Sequence, residues 1–388
     1  MNQDVNWQNF RDQFPTLDNT NYLNTCSLGL LSNDSKDALL SYIDTWTTLG
    51  ASAWYSVWME KINSLKEEFA KLINASPDEI AIMPSVSQAI AVISSCIDLN
   101  PDDEVVTSEL DFPTIAHNFM GRESKGQGKV KIVKSESMQY VDVEKFISHI
   151  SEKTKLVATS RVYYLSGYIN DYEKIMNAAK NNNALFFLDD YQATGQLPIN
   201  VKEQDIDIFV TGGLKWLLGG SGVVYMYVRK ELINQLEPSV TGWHSHKRQF
   251  EFDPHTLEFS DTASRFETGT PSISAVYPAE QGIKLINEIG VENIRNRTLY
   301  LTSLLVNSLI ELGFSLRVPE DLNGHAGITM VDCSNPSFVV EELKKAGIIV
   351  DSRPGCVRIS PFFYNNESEI DHCVNVLSNL KNSDNSLF

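Results

Sequence analysis

The chain has 388 residues, of which 42% are hydrophobic and 21% are charged, so it can bury more than one hydrophobic core. Its formal net charge of −18 argues against a nucleic-acid partner, because phosphate contacts need clustered lysine and arginine. No apolar run reaches the ~18 residues that a membrane span needs, and the N-terminus has neither the basic start nor the apolar core of a secretory signal.

The cysteines indicate a reducing compartment. There are five, with no CxxC pair among them: Cys26, Cys96, Cys333, Cys356 and Cys373. This scatter is typical of free thiols in a cytoplasmic protein, and it does not fit a disulfide framework or a zinc knuckle. His244 and His246 lie close together, but two histidines without a set of carboxylates do not make a metal site. We therefore expect a cytoplasmic protein with no bound metal.

The first part of the chain is predicted to be an arm followed by two helices. Residues 1–20 form the arm, which carries one short amphipathic piece. Residues 22–32 begin like a strand and continue as a loop. Apolar residues then recur with helical spacing over residues 34–46 and 55–73, which predicts a helix in each range.

From residue 79 onward, short apolar strands alternate with helices. Strands are predicted over residues 79–85, 104–110, 129–134, 155–160, 184–190, 206–210 and 223–228, and helices over residues 85–97, 141–150 and 172–181. This alternation predicts an α/β fold in which helices cover both faces of a mostly parallel sheet. Ligands of such sheets bind outside the carboxyl ends of the strands.

The last third of the chain follows a different pattern. Residues 236–274 are polar and rich in loops, and a long helical stretch after them is broken near Gly290. Beyond residue 327, strands and helices predict a smaller α+β unit with a frayed tail over residues 381–388. The predicted organisation is an arm over residues 1–20, a large domain over residues 21–274 and a small C-terminal domain over residues 275–388.

A lysine in a glycine-rich turn is the first candidate for chemistry. Lys215 lies within TGGLKWLLGGSG, residues 211–222, between two predicted apolar strands. Apolar surroundings lower the pKa of a lysine and make its amine a nucleophile or a Schiff-base former. Asp189 ends another predicted strand, where its carboxylate can pair with a protonated ring nitrogen. A lysine and an acid of this kind are what pyridoxal 5′-phosphate (PLP) needs.

Two further positions fit the same cofactor. Gln192 follows Asp189 closely and can donate to the phenolic oxygen of the same ring. The predicted helix start at residues 85–87 offers free N–H groups and hydroxyls to a phosphate. Each position also has a simpler interpretation, namely a solvated acidic strand end and an ordinary serine N-cap. Taken together with Lys215, the cofactor interpretation is favoured.

With these motifs the chain resembles the class V aminotransferase group of fold-type I PLP enzymes. That group includes cysteine desulfurases, selenocysteine lyases, kynureninases and isopenicillin N epimerases. The motifs run in order along nearly the whole chain: SVSQAI, DFPT, SRVYYLSGY, LDDYQATGQLPI, GGLKWLLGGSG, RFETGTP and VRISPFFYN. The resemblance implies a fold-type I architecture, with a mostly parallel sheet sandwiched by helices and a smaller C-terminal α+β domain.

The resemblance implies cofactor-binding roles residue by residue. Lys215 resembles the Schiff-base lysine, Asp189 the partner of the pyridinium nitrogen, and Gln192 the donor to the ring oxygen. Val86 and Ser87 match the turn that holds the phosphate. The remaining matches are Phe112, in the place of the residue that stacks on the ring, and Tyr164, where desulfurases carry an asparagine that faces the ring.

The resemblance also implies a partner subunit and a substrate. Thr270 resembles a phosphate contact that the partner subunit donates, which implies a homodimer with shared active sites. Arg358 resembles the arginine that pairs with the α-carboxylate of an amino-acid substrate, since a guanidinium binds a carboxylate bidentately. Arg353 and Asn24 are the other substrate-binding candidates, whereas Arg161 is expected to brace the end of the sheet.

Two departures disfavour a desulfurase that passes sulfur to a cysteine. Residues 348–360 run from strand to strand with almost no loop, and Cys356 stands only two residues before Arg358. We therefore expect Cys356 to be a small buried strand-end residue and not a mobile persulfide carrier. In addition, Leu214 precedes Lys215 where desulfurases place a histidine.

These departures favour a β-eliminating C–S or C–Se lyase that works without a persulfide cysteine. Of the reactions open to this family, elimination requires the fewest catalytic groups, because it needs only proton removal by Lys215 and a leaving group. An aminotransferase, an epimerase and a kynureninase-like hydrolase remain open. A non-catalytic PLP-binding protein is disfavoured, because Lys215, Asp189 and Arg358 are all present.

Overall fold

A seven-stranded sheet forms the centre of the larger lobe in this computed structural model, which describes residues 5–319 and 321–388. In chain order the strands are β1 (Asn21–Tyr22), β2 (Ile80–Met83), β3 (Glu104–Ser108), β4 (Lys129–Val133), β5 (Thr154–Ser160), β6 (Leu185–Asp189), β7 (Ile208–Gly212), β8 (Val224–Val228), β9 (Thr329–Asp332), β10 (Ile348–Ile349), β11 (Asp351–Arg353) and β12 (Cys356–Ile359). The large sheet has the order β2-β8-β7-β6-β5-β3-β4. Neighbours from β7 to β4 are parallel, and β8 is antiparallel to both of its neighbours.

Twelve α-helices occur in the described residues. They are α1 (Trp7–Arg11), α2 (Asn33–Leu49), α3 (Met59–Ile73), α4 (Val86–Ser95), α5 (Thr114–Glu123), α6 (Val143–Ile147), α7 (Tyr172–Asn181), α8 (Lys230–Ile233), α9 (Ile273–Ile289), α10 (Val291–Glu311), α11 (Pro336–Lys345) and α12 (Glu367–Ser383). A π-helical turn over Trp54–Trp58 leads into α3, so the predicted helix over residues 55–73 begins with wider turns than expected.

Helices cover both faces of the large sheet, as predicted. Alternate residues of a strand enter different cores: Phe186 and Leu188 pack on one side, and Phe187 packs on the other. One core contains side chains of α3, α7 and α9, and the other contains side chains of α4 and α5. Strands buried on both faces are continuously apolar, which is why the sequence shows apolar runs there instead of strict alternation.

The smaller lobe is built around a three-stranded antiparallel sheet of order β11-β12-β9. Helices α10, α11 and α12 pack on it around Leu305, Val357 and Leu377. The parallel pairing of β1 with β10 ties the N-terminal region to this lobe. The expectation of a frayed tail was wrong, because Leu387 is buried and its carbonyl accepts a hydrogen bond from the Ser334 N–H at 2.8 Å.

The position of α9 bears on the division of the chain into domains. Gly290, with φ of 84°, separates α9 from α10 and suits the predicted break, because glycine adopts positive φ without strain. Helix α9 packs against α2 and α3 of the large lobe. The predicted boundary at residue 274 stays a prediction, and we propose from this packing that the break lies at Gly290. Within the described residues, every helix is too short or too polar to cross a membrane.

Candidate active site

A cavity of about 440 Å³ opens at the carboxyl edge of the parallel strands. The sequence placed its candidate residues at this edge, and the structure brings seven of them to the cavity wall: Val86, Ser87, Phe112, Tyr164, Asp189, Gln192 and Lys215. Leu214, Tyr191 and Ser27 also line it. The other four candidates, Asn24, Thr270, Arg353 and Arg358, lie outside this wall.

Lys215 projects from the turn that follows β7 and is deeply buried. Burial lowers the pKa of its amine to about 8, because a charged ammonium loses its hydration there. The Nζ atom lies 4.5 Å from the centroid of the Tyr191 ring. Among the described residues, no carboxylate lies within ion-pairing distance of Lys215. A buried amine that is readily neutral can act as a nucleophile or a base.

The loop after β1 holds the lysine turn in place. The Gly29 N–H donates to the carbonyl of Leu214 at 2.8 Å. A Cβ atom on Gly29 would lie 2.1 Å from the carbonyl oxygen of Lys215, so no larger residue fits here without moving the backbone. The backbone before and at Lys215 is therefore fixed by a segment that is distant in sequence.

Asp189 ends β6 and faces the cavity from a buried position. Burial raises the pKa of its carboxyl to about 7, and the backbone N–H of Tyr191, which donates to Oδ1 at 3.0 Å, opposes that rise. No other hydrogen bond to this carboxylate occurs within the described residues. A buried carboxylate with so few partners is suited to a cationic ligand, because a cation would stabilise its charged form. A protonated pyridine nitrogen is such a ligand.

The N-terminus of α4 faces the same cavity and fits a phosphate. Ser85 is the N-cap, and its hydroxyl accepts from the Gln88 N–H at 3.2 Å. The N–H groups of Val86 and Ser87 lie in the first turn, where a helix offers no carbonyl partners and favours an anion. The Ser87 hydroxyl is also linked to that of Thr114 at 2.7 Å. The amine, the carboxylate and this helix start together fit PLP.

Two aromatic rings form the wall across from the lysine turn. The Phe112 and Tyr164 rings meet edge to face, with centroids 5.3 Å apart. Asp111 anchors the Phe112 loop, since its buried carboxylate accepts from the backbone N–H groups of Ser108, the last residue of β3, and Ser160, the last residue of β5, at 2.8 and 2.6 Å. Asp111 belongs to the DFPT motif, but its anchoring role was not predicted, because it depends on β3 and β5 being neighbours.

Gln192 lines the cavity, and its side-chain amide makes two hydrogen bonds within the protein. Its Nε2 donates to the carbonyl of Cys26 at 3.1 Å, and its Oε1 accepts from the Trp216 indole N–H at 2.9 Å. One N–H of the amide is left over from these contacts. The predicted donation to a cofactor oxygen therefore depends on a single N–H whose orientation the protein already fixes.

Arg358 has a partner that was not predicted. The side chain is buried, and its Nε and Nη2 atoms donate to the two carboxylate oxygens of Asp351 at 3.0 and 2.8 Å. Arg353 donates to Asp351 as well, at 3.1 Å. The sequence contained a signal for this arrangement: a hairpin turn at Pro354–Gly355 places Asp351 opposite Arg358.

The remaining candidates lie around the cavity. Asn24 pairs through its backbone with Ser360. Thr270 lines a separate cavity of about 230 Å³ beside Gln88. Arg161 forms a buried, two-pronged ion pair with Asp190, with contacts of 2.6 and 2.7 Å, which confirms that it braces the sheet end.

The structure also confirms the interpretation of Cys356. The residue is buried at the start of β12, and burial raises the pKa of its thiol. Because Arg353 pairs with Cys356 across the hairpin, only two residues separate β11 from β12. The wall of the main cavity, as far as the structure describes it, contains no cysteine.

Comparisons with known proteins agree with this geometry. The aminotransferase class-V family model matches residues 37–373. An uncharacterized aminotransferase of Bacillus subtilis, YcbU, is 32% identical over 96% of this chain and 97% of that protein. A kynureninase of Bacillus anthracis is 27% identical over 96% of this chain and 91% of that protein.

Solved structures share the fold. A cysteine desulfurase from Thermococcus onnurineus superposes with a TM-score of 0.87 at 22% identity, covering 99% of this chain and all (100%) of the other. The cystine C–S lyase C-DES in complex with cysteine persulfide also gives 0.87, at 20% identity, over 94% of this chain and 99% of the other. At such identities these structures support the architecture alone.

Proposed function

We propose that this chain, which belongs to the class V aminotransferase family of PLP-dependent enzymes, is a lyase that breaks a Cβ–S or Cβ–Se bond of an amino acid without a persulfide cysteine. PLP is its cofactor. The observation that carries the proposal is a cavity with a buried amine of lowered pKa, Lys215, and no cysteine in its described wall. These residues can move a proton but cannot accept sulfur.

Each part of the cavity wall has a role in this proposal. PLP supplies an electron sink that makes the Cα proton of a bound amino acid acidic. Lys215 would act as the base that takes a proton at Cα, and Asp189 would keep the ring nitrogen protonated. The N–H groups of Val86 and Ser87 would hold the phosphate, and Phe112 would pack on the ring.

Tyr164 is the candidate acid for the leaving group. Its half-buried phenol lines the cavity, and burial raises its pKa, so it stays protonated at neutral pH. A leaving thiolate or selenolate is best released when a nearby group donates a proton to it. Lys215 as base and Tyr164 as acid would supply both proton transfers that an elimination needs.

A kynureninase-like hydrolysis of a C–C bond is the second candidate. The cavity wall carries apolar and aromatic groups, including Phe112, Val162, Leu214 and Val223, which suit an aromatic side chain. Several relatives at about 27% identity over most of the chain are kynureninases. Amino transfer is a further alternative, because the relative at 32% identity is described as an aminotransferase.

Product analysis with a substrate panel tests the proposal. The purified enzyme is incubated separately with cysteine, cystine, selenocysteine and kynurenine, and with an amino donor plus a keto acid. We expect pyruvate together with a sulfur or selenium product. Anthranilate and alanine from kynurenine would support the hydrolase instead, and amino transfer without elimination would support an aminotransferase.

Cysteine variants test the absence of a persulfide carrier. Cys356→Ala and Cys26→Ala are expected to keep most of the wild-type rate, because neither residue lines the cavity. Lys215→Ala is the matched loss-of-function control. A rate that falls with either cysteine substitution as far as with Lys215→Ala would contradict the proposed mechanism.

We further propose that the enzyme is a cytoplasmic homodimer with shared sites. All five cysteines are free, which supports a reducing compartment. Large apolar side chains are exposed on α2, where Trp46 is 58% exposed, and in the loop around Phe252, which is 66% exposed. A second copy of the chain would cover such surface, and the position of Thr270 outside its own main cavity fits a role in the partner's site.

A further inference from the structure

Asp351 connects two arginines beside the cavity. Its Oδ1 accepts from Arg358 Nε at 3.0 Å, and its Oδ2 accepts from Arg358 Nη2 at 2.8 Å and from Arg353 Nη1 at 3.1 Å. The hydroxyl of Ser27, which lines the cavity, also donates to Oδ2 at 2.5 Å. Ser27 in turn accepts from Arg358 Nη2 at 2.6 Å. These four side chains therefore form one connected cluster.

The hairpin makes this arrangement rigid. Asp351 and Arg358 face each other across the antiparallel pair β11 and β12, and a two-residue turn fixes the register. Arg358 is only 1% exposed, so its charge cannot be hydrated and needs a buried counter-ion. Asp351 supplies that counter-ion, and Arg358 in turn holds the pKa of Asp351 below its usual value despite partial burial.

Some donors of the cluster have no close partner. Arg358 uses its Nε–Nη2 edge on Asp351, and its Nη1 makes only a long contact of 3.4 Å with the carbonyl of Tyr164. Arg353 is 31% exposed, and within residues 5–319 and 321–388 its Nε and Nη2 donate to no partner. Two guanidinium cations and one carboxylate give the cluster a net charge of +1.

We propose that Asp351 is a positioning and specificity residue, which ties Arg358 and Arg353 into a clamp that accepts one carboxylate at this end of the cavity. The inference rests on the proposed function, because it takes the clamp as the anchor of the substrate α-carboxylate. Asp351 orients the free edge of Arg358 and cancels one of the two positive charges. In a ligand with two neighbouring carboxylates, the second is repelled by the negative charge of Asp351, so such a ligand binds less well.

Binding of two acids of equal carbon number tests this selection without turnover. Propionate carries one carboxylate and malonate carries two. Their dissociation constants are measured by calorimetry at pH 8 with the cofactor-loaded protein. Wild type is expected to bind propionate at least as well as malonate. Asp351→Asn raises the clamp charge to +2 and should shift the ratio about tenfold in favour of malonate.

Controls separate the clamp from general effects of charge and folding. Asp102→Asn removes an equally charged carboxylate on the distant, exposed Lys129 pair and should leave the ratio unchanged. Arg353→Gln, at a partly exposed position, should weaken propionate binding about tenfold, and Arg353→Lys should restore part of it. Since Arg353 is not a buried core residue, its variants test the clamp even where Asp351→Asn fails to fold.

An unchanged propionate-to-malonate ratio in Asp351→Asn, or unchanged propionate binding in Arg353→Gln, would overturn the inference. Neither outcome depends on which bond the enzyme breaks. A failure of the lyase proposal in the substrate panel therefore leaves this test intact, and a failure here leaves the lyase proposal standing.

Discussion

Burial favours the neutral forms of both Lys215 and Asp189. It lowers the pKa of Lys215 to about 8 and raises that of Asp189 to about 7. Both shifts have the same cause, because a desolvated site disfavours any charge. In the proposed function these groups meet a ligand that carries its own charges, with a phosphate at α4 and a cationic ring nitrogen at Asp189. Without PLP, the burial of these two groups lowers the stability of the folded protein.

This loss of stability predicts a pH-dependent effect of Asp189→Asn on the free energy of unfolding. Because the pKa of Asp189 in the folded protein exceeds its ordinary value of 3.8, the folded state holds the proton more tightly. Its stability contribution is complete below about pH 4 and is lost as the pH rises through 7. The substitution should therefore stabilise the cofactor-free protein by about 2 kcal/mol more at pH 8 than at pH 5.

Urea unfolding at the two pH values measures this difference. Asp102→Asn, at an exposed position, is the matched control and should show no such pH dependence. If Asp189→Asn changes the free energy of unfolding equally at pH 5 and pH 8, then burial of Asp189 does not control its ionisation.

At the scale of elements, the cavity depends on contacts between segments that are distant in sequence. The loop after β1 presses Gly29 against the backbone of Lys215, and Asp111 joins the ends of β3 and β5. These contacts fix the groups that meet the ligand, and rigid support of this kind is what positions a reacting atom. Changes in such a support should therefore affect cofactor binding without touching the cofactor.

Gly29→Ala tests this support directly. The new Cβ would clash with the carbonyl of Lys215, so we expect a loss of about 1–3 kcal/mol in stability together with weaker PLP retention. Gly121→Ala in α5 is the control, since a Cβ there meets no atom within 4 Å. It should be neutral or stabilising by up to about 1 kcal/mol. Equal PLP content and equal melting temperatures in the two variants would contradict the role of Gly29.

The elements that were predictable are those whose signal is local. Periodicity, capping and glycine positions predict the α4 start at Ser85, the extent of α7, the strand end that carries Asp189 and the turn that carries Lys215. The Asp351–Arg358 pair was not predicted, because it depends on strand register, although the two-residue turn specifies that register. The Gln192 contacts with Cys26 and Trp216 join three separate segments and have no local signal.

For the molecule as a whole, two features support the proposed homodimer. Trp243, Phe250 and Phe252 form an exposed aromatic group, and the Phe250 ring also contacts that of Tyr55. Thr270 lies near α4 through Gln88 but outside the wall of the main cavity. Both features fit a second copy that covers the apolar surface and completes each site.

Complementation between inactive variants tests the shared site. In a heterodimer of Lys215→Ala and Thr270→Ala chains, one of the two sites would contain both native residues. We expect activity to appear when the chains are co-expressed and purified as a heterodimer, although each homodimer is impaired. The matched mixture of Lys215→Ala with Asp189→Asn should stay inactive, because Asp189 lies in the same chain's cavity as Lys215. No gain in the first mixture would place Thr270 in its own chain's site.

We predict that Lys215 is the residue that forms the covalent bond to PLP. Borohydride reduction of the PLP-loaded protein, followed by peptide mass spectrometry, locates the fixed pyridoxyl group. We predict that it is found on the peptide containing Lys215, that Lys215→Ala abolishes the labelling, and that Lys66→Ala, which removes another buried lysine, does not. Labelling that persists in Lys215→Ala, or that maps to a different lysine in the native protein, would show that Lys215 is not the PLP-binding residue.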